Sequence, residues 1–288
     1  MNAPRNLIER LLKLYPVDYL KEQFNIVGGN QSTVIETVLA QNTQDALKNF
    51  SIHNLNRTKQ HIYIFTADNN FTRQHVLSDN LPINKVSQNS TGGIHTVFGY
   101  NTVGFESVVL NPFEETILRF YQPIKITARD NHLMIQVTKL EKNIDSYFPE
   151  NRKVVDVKRI PEEETAISEI VTFLSTGRVI EVCDINRGIK HLWRNNIIDS
   201  KYVKWRRSRS TSTEAMDESY TLKNQYPEIF DSLINAPLTK TIFKYLRADE
   251  NLCRHFSVDP GQGQIGIALY PQNDNQIDNV VNSILSNN

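Results

Sequence analysis

Apolar positions change their spacing twice along this chain. Between residues 4 and 50 they recur at helical intervals: Leu7, Leu11, Leu12 and Leu14 form one set, and Val17, Leu20 and Phe24 a second. Val34, Ile35, Val38 and Leu39 form a third set, and Ala46, Leu47 and Phe50 a fourth. Pro16 restarts the chain after the first set, and Gly28-Gly29 interrupt it after the second. Asn30 or Ser32 suits the N-cap of the third helix.

From about residue 60 to 140 the spacing shortens to two. HIYIFTA (61–67) is rich in β-branched and aromatic residues, and the stretches 93–101 and 104–111 alternate, with Gly99 and Gly104 as breaks. PIKITA (123–128), the turn residues Arg129-Asp130-Asn131 and the run 132–142 read as a hairpin. Ile124 and Ile126 alternate with Lys125 and Thr127, so one face is buried and the other wet, as in antiparallel sheet.

Beyond residue 150 the two periods mix. A strand is expected at 154–160, then a helix opened by Pro161 and Glu162-Glu163-Glu164, with Ile167, Ile170, Val171 and Leu174 inward and Gly177 at its end. A strand at 178–183, a helix at 185–196 capped by Asp184, and a strand at 202–208 follow. The run SRSTST (208–213) reads as a polar loop. Helices are expected at 220–235, kinked at Pro227, at 238–246 and at 276–285, with a strand at 264–271. The fold class is therefore α+β: a small helical module (1–55), a mainly antiparallel β-rich domain (56–160) and a mixed C-terminal region (161–288). In that last region helix 185–196 and the strand after it have the pattern of a winged-helix-like element.

Composition narrows the function classes. No apolar run approaches the roughly 18–20 residues that span a bilayer. The first residues carry charges inside their apolar pattern, unlike a secretory leader. Cys183 and Cys253 are the two cysteines, too few for a disulfide framework or a Cys₄ zinc site. A reducing, cytoplasmic setting without a membrane partner is the expectation. The 32 basic and 32 acidic residues cancel, so any contact with a polyanion must come from a local patch.

Residues 178–209 supply such a patch, with nine Lys/Arg against three Asp/Glu. On helix 185–196, Ile185, Ile189 and Leu192 share one stripe, while Arg187, Lys190, His191 and Arg194 share another. Lys201, Lys204, Arg206, Arg207 and Arg209 follow on the next strand and would contact phosphates. Trp193, Tyr202 and Trp205 lie among these charges. Strand alternation groups Val203 with Trp205 on one side, and Tyr202 with Lys204 and Arg206 on the other, where Tyr202 could stack on a base. The stretch Glu214–Asp231, with five acids and one lysine, could instead neutralise the patch within the chain.

Two shorter patterns bear on the same question. Tyr19–Ala40 carries Leu20-Lys21-Glu22, the Gly28-Gly29 break and Val34-Ile35-Glu36 leading to Val38-Leu39. It resembles the SAP helix–loop–helix family, and that resemblance implies DNA binding, although no Lys or Arg lies between Gly28 and Ala40. Asp145, Asp156 and Lys158, with Glu169 on the next helix, resemble the D…(D/E)xK core of metal-dependent nucleases. There two carboxylates hold Mg²⁺ and a lysine acts on the attacking water. Gly261-Gln-Gly263-Gln-Ile-Gly266 matches GxGxxG but precedes a strand, so it reads as a turn and not as a nucleotide cradle. The function these residues favour is non-enzymatic nucleic-acid binding, DNA before RNA, alone or as a subunit of a larger assembly and without a cofactor. The alternatives are the Mg²⁺-dependent nuclease and an adaptor whose basic face docks an acidic protein.

Overall fold

In the computed structural model of the chain the described residues are 4–68, 71, 73–207, 210–215, 221–247 and 249–288. For positions 4, 73, 201, 202, 204–207 and 210–215 the description is of the backbone alone. Helices α1 (Pro4–Leu12), α2 (Val17–Phe24), α3 (Gln31–Gln41) and α4 (Gln44–His53) come first. Strands β1 (Gln60–Ala67), β2 (Asn84–Thr91), β3 (Ile94–Leu110), β4 (Glu114–Arg129), β5 (His132–Thr138) and β6 (Lys153–Ile160) follow, then α5 (Glu163–Leu174) and β7 (Ile180–Val182). The chain continues through α6 (Asn186–Arg194), β8 (Ile198–Arg207), β9 (Ser210–Ala215), α7 (Leu222–Gln225) and α8 (Pro227–Asn235). It finishes with β10 (Leu238–Tyr245), β11 (His255–Asp259), β12 (Gln264–Ile267) and α9 (Asn275–Leu285). The protein is thus α+β, with leading helices and extensive antiparallel pairing. No helix among the described residues is long and apolar enough to cross a membrane.

The chain forms two compact units that share it discontinuously. Unit 1 takes residues up to Thr58, Asn69–Asp130 and Val137–Val179; unit 2 takes Lys59–Asp68, Asn131–Gln136 and Ile180–Asn288.

In unit 1 the four leading helices close a core of Ile8, Leu11, Leu12, Tyr15, Leu20, Val34, Ile35, Val38 and Leu47. Their ends follow from local chemistry. Asn30 accepts from Thr33 N at 3.0 Å to start α3, Thr43 accepts from Ala46 N at 3.3 Å to start α4, and Asn25 closes α2 in the left-handed region. Phe24, Phe50, Tyr15 and Tyr19 stack and tilt against one another in this core.

The strands of unit 1 centre on β3, which pairs with β4 from His95↔Ala128 to Val109↔Glu114. Its first half also pairs with β2 and its second half with β6. Gly99 and Gly104 do not break β3. Gly99 is required by close approach instead, since a Cβ there would sit 2.7 Å from the Asn84 carbonyl oxygen on β2. Under this sheet lies a buried polar network. Arg159 Nη1 reaches Glu163 Oε2 at 3.1 Å, Arg159 Nη2 donates to Gln122 Oε1 at 2.9 Å, and Gln122 Nε2 donates to the Thr138 carbonyl at 2.8 Å.

In unit 2 the strand order is β5-β1-β12-β11-β10-β8-β9, with β7 added along the end of β1. Ile62, Ile64, Val203, Phe243, Phe256, Val258 and Ile265 give the sheet an apolar face, on which Ile189, Leu192 and Trp193 of α6 and Ile277, Val280 and Ile284 of α9 bury their own apolar sides. The GxGxxG stretch is a turn after β11 that runs into β12. Gly263 takes φ 58, and a Cβ there would lie 2.4 Å from the Ile64 carbonyl oxygen.

Three elements differ from the sequence expectation. The segment expected as a helix at 238–246 forms strand β10, Leu238–Tyr245. A register shift between Leu238 and Thr241 breaks the alternation, leaving Leu238, Thr241 and Phe243 inward at a spacing that mimics a helical one. Within SRSTST, Ser210–Thr213 belong to β9 and pair with β8, a place that β-branched threonines suit; Ser208 and Arg209 lie outside the described residues. The kink at Pro227 is a complete break, because Tyr226 (φ −138, ψ 67) leaves the helical region and Pro227 opens α8.

Two measurements follow. Arg159→Ala leaves the Glu163 carboxylate buried beside Gln122 without its guanidinium, and should lower the unfolding free energy by about 3–5 kcal/mol in denaturant melts. In unit 2, burial pushes the Cys253 thiol up to about 12. The unfolded thiol ionises first, so this contribution to stability is full below about pH 8.5 and is lost as pH climbs toward the folded value. Cys253→Ser, with its non-ionising hydroxyl, should flatten the alkaline fall measured by denaturant melts between pH 8 and 11.

Candidate nucleic-acid interface

Helix α6 is short, and it is held at both ends by other parts of unit 2. Asp184 does not cap it in the expected way. Its Oδ1 accepts from Asn186 N at 2.9 Å and from Asn186 Nδ2 at 2.7 Å, which closes a turn just ahead of the helix. The first-turn amide of Gly188 is satisfied from far along the chain, by Asn288 Oδ1 at 3.1 Å, while Asn288 Nδ2 donates to the Asp184 carbonyl at 2.9 Å. At the other end Lys223 Nζ donates to the Arg194 carbonyl at 3.0 Å. This lysine adds a cation where the helix dipole is negative.

The inner face of α6 is fixed by packing. Ile185, Ile189 and Leu192 are buried as their spacing requires, and Gly188 lets α9 approach so closely that a Cβ would lie 2.2 Å from the Ile284 carbonyl oxygen. Trp193 belongs to this face as well. It is 1 % exposed, meets Phe230 and Phe243 edge-on, and donates from Nε1 to Asp199 Oδ1 at 3.1 Å. The sequence pattern set Trp193 among the charges, but the tryptophan is core and offers no stacking surface.

With that face inward, the basic stripe is outward. Arg187, His191 and Arg194 are exposed, and Lys190 is half-buried between them. Arg187, Lys190 and Arg194 line a shallow depression of about 430 Å³, together with Asp184 and Asn186 on one side and Ile234 and Asn235 of α8 on the other. Burial holds the Lys190 ammonium below the usual lysine range, and the Arg194 charge adds to this, against a smaller pull from Asp184. None of these four side chains makes an ion pair with a described residue. Glu228 and Asp231, from the acidic stretch, lie exposed on α8 and leave the stripe unpaired. The other acids of that stretch, Glu214, Asp217 and Glu218, have no described side chains.

Strand β8 continues from α6. The backbones of Lys201, Tyr202, Lys204, Arg206 and Arg207 lie on it, with Lys204 opposite Thr213 and Arg206 opposite Thr211 on β9; Arg209 lies outside the described residues. Val203 packs inward, in keeping with the alternation read from the sequence. The β8–β9 hairpin is not a free-standing wing, because β8 is also bonded to β10. The helix that precedes α6 in the chain, α5, belongs to the other unit.

The remaining sequence candidates lie in unit 1. Asp145 opens a turn at Asp145–Tyr147, and Lys158 sits opposite Glu106 on β3. Asp156 (φ 52) is the extra residue of a bulge, lying between Val155↔Val108 and Val157↔Ser107. Glu169 is exposed on α5. No group of three His, Cys, Asp or Glu able to hold a metal ion occurs among the described residues. In the SAP-like segment, α2 and α3 form a helix–loop–helix that buries Tyr19, Leu20, Val34, Ile35 and Val38 in the four-helix core.

Sequence reasoning missed three residues that shape this face: Asp199, Lys223 and Asn288. Lys223 and Asn288 act across the chain, and Asp199 ties Trp193 to the amide of Leu222, partners that no local pattern signals. No protein-family model, curated protein or solved structure matches this chain.

Asp199→Ala removes the acceptor of both Trp193 Nε1 and the Leu222 amide, leaving two buried donors unpaired. It should cost about 2–6 kcal/mol in chemical denaturation, given roughly 1–3 kcal/mol per unsatisfied buried donor.

Proposed function

We propose that this protein binds nucleic acid, duplex DNA before RNA, without acting on it chemically, alone or as one subunit of a larger assembly. One observation carries the reading: four cationic or titratable side chains, Arg187, Lys190, His191 and Arg194, are held on the outer face of α6 without an ion-pair partner among the described residues. Like charges gathered in this way repel one another, and Lys190 and Arg194 lie close enough for that repulsion to act on the lysine. A line of phosphates relieves the repulsion and releases its condensed counterions. Lys201, Tyr202, Lys204, Arg206, Arg207 and Arg209 follow α6 in the sequence and would add further contacts to phosphates. A cytoplasmic setting agrees with two cysteines that are buried and unpaired.

Salt dependence is the test. Binding to a labelled 20-base-pair duplex should weaken steeply with salt. In Arg187→Ala/Arg194→Ala the slope of log K against log salt should be shallower by about 2, at about 0.9 for each phosphate that the variant no longer neutralises. The duplex should stay intact in Mg²⁺; cleavage that is lost in Lys158→Ala would replace this reading with the nuclease. Absence of binding by the unaltered protein at low salt would leave the basic face as a docking site for an acidic protein.

A further inference from the structure

The face of α6 that binds nucleic acid on the preceding reading also limits how a duplex can be read. Sequence is read in the major groove by side chains that reach base edges, typically Asn or Gln at adenine and Arg at guanine, from a helix that enters a groove about 12 Å wide. Two features of this face oppose that mode. First, each of its three amides gives at least one hydrogen bond to its own chain, and Asn186 uses both its nitrogen and its oxygen there. Asn186 Nδ2 donates to Asp184 at 2.7 Å while its Oδ1 accepts from Leu238 N at 3.3 Å. Asn195 Nδ2 donates to the His191 carbonyl at 2.8 Å, and Asn235 Nδ2 to the Asp231 carbonyl at 2.9 Å.

Second, α6 does not stand clear of its surroundings. The end of α8, at Ile234 and Asn235, forms the opposite wall of the depression that Arg187, Lys190 and Arg194 line. Two helices side by side are about 20 Å across, since each is about 10–12 Å wide with its side chains. That pair is wider than the groove, whereas the depression between them is open to the phosphates of the backbone. Arg187, Lys190, His191 and Arg194 then run along about 10 Å of the helix, at about 1.5 Å per residue, with Lys190 at the floor.

We infer that α6 engages the sugar–phosphate backbone and not the bases, so that this protein binds DNA without regard to sequence. Lys190 and its two arginine neighbours act as a phosphate cradle. Indifference to sequence is what pure phosphate contact produces, because every nucleotide carries the same anion.

The test is equilibrium binding of the full chain to two labelled 20-base-pair duplexes, one of alternating A·T and one of alternating G·C, with inorganic polyphosphate as competitor. Affinities should agree within about threefold, less than the roughly fivefold or more that a single wrong base pair costs a base reader. Polyphosphate should displace both duplexes, and Lys190→Gln should weaken both by the same factor. A larger preference for one duplex overturns the inference, as does failure of polyphosphate to compete or an unequal effect of Lys190→Gln. Each of these leaves the binding function standing, whereas no binding to either duplex at low salt removes the function on which the inference rests.

Discussion

A single buried carboxylate organises the basic face. Asp199 is 1 % exposed at the start of β8, and it accepts hydrogen bonds from Trp193 on α6 and from the amide of Leu222 that opens α7. Elements α6, β8 and α7 therefore meet at one carboxylate. A buried carboxylate is tolerated when donors are placed at its oxygens, and here an indole and a backbone amide serve. Rotating α6 about its axis would pull Trp193 off Asp199 and its edge-on contacts with Phe230 and Phe243. The direction in which Arg187, Lys190 and Arg194 point is thus decided from beneath the helix, by groups that carry no positive charge.

The sequence was legible where the cause was local. The four leading helices, the cap at Asn30, the two faces of α6 and the glycine turn at Gly263 all follow from spacing and turn chemistry within a few residues. It misled where partners from afar decide. Leu238–Tyr245 has apolar residues at intervals that suit either period, and pairing with β8 and β11 selects the strand. Trp193 reads as part of a basic aromatic cluster until Asp199 is seen to hold its ring nitrogen. Asn288 belongs to α6 by geometry although it lies a hundred residues beyond Gly188.

Charge and packing are separated in the same way in unit 1, with the opposite outcome. There Arg159 is 7 % exposed and has every nearby acceptor aimed at it: Glu163, Gln122 and the Pro161 carbonyl. Such a guanidinium is buried and paired within the fold. The cations of α6 have the reverse arrangement, with their stems against a packed helix and their heads unmatched. Net charge near zero conceals this contrast, because it counts a satisfied arginine and an unsatisfied one alike.

The interleaving of the two units along the chain has a consequence for how the protein is made. Strand β1 pairs with β12 through Ile62↔Ile265, so a strand that emerges early from the ribosome finds this partner about two hundred residues later. At about 5–20 residues per second, β1 waits on the order of ten to forty seconds with that edge open. Unit 1 supplies most of its own helices and strands in the meantime, and can consolidate before unit 2 has begun to close. The residues of the helical core and of the β3–β4 ribbon are thus synthesised before the last strands of the sheet on which α6 rests.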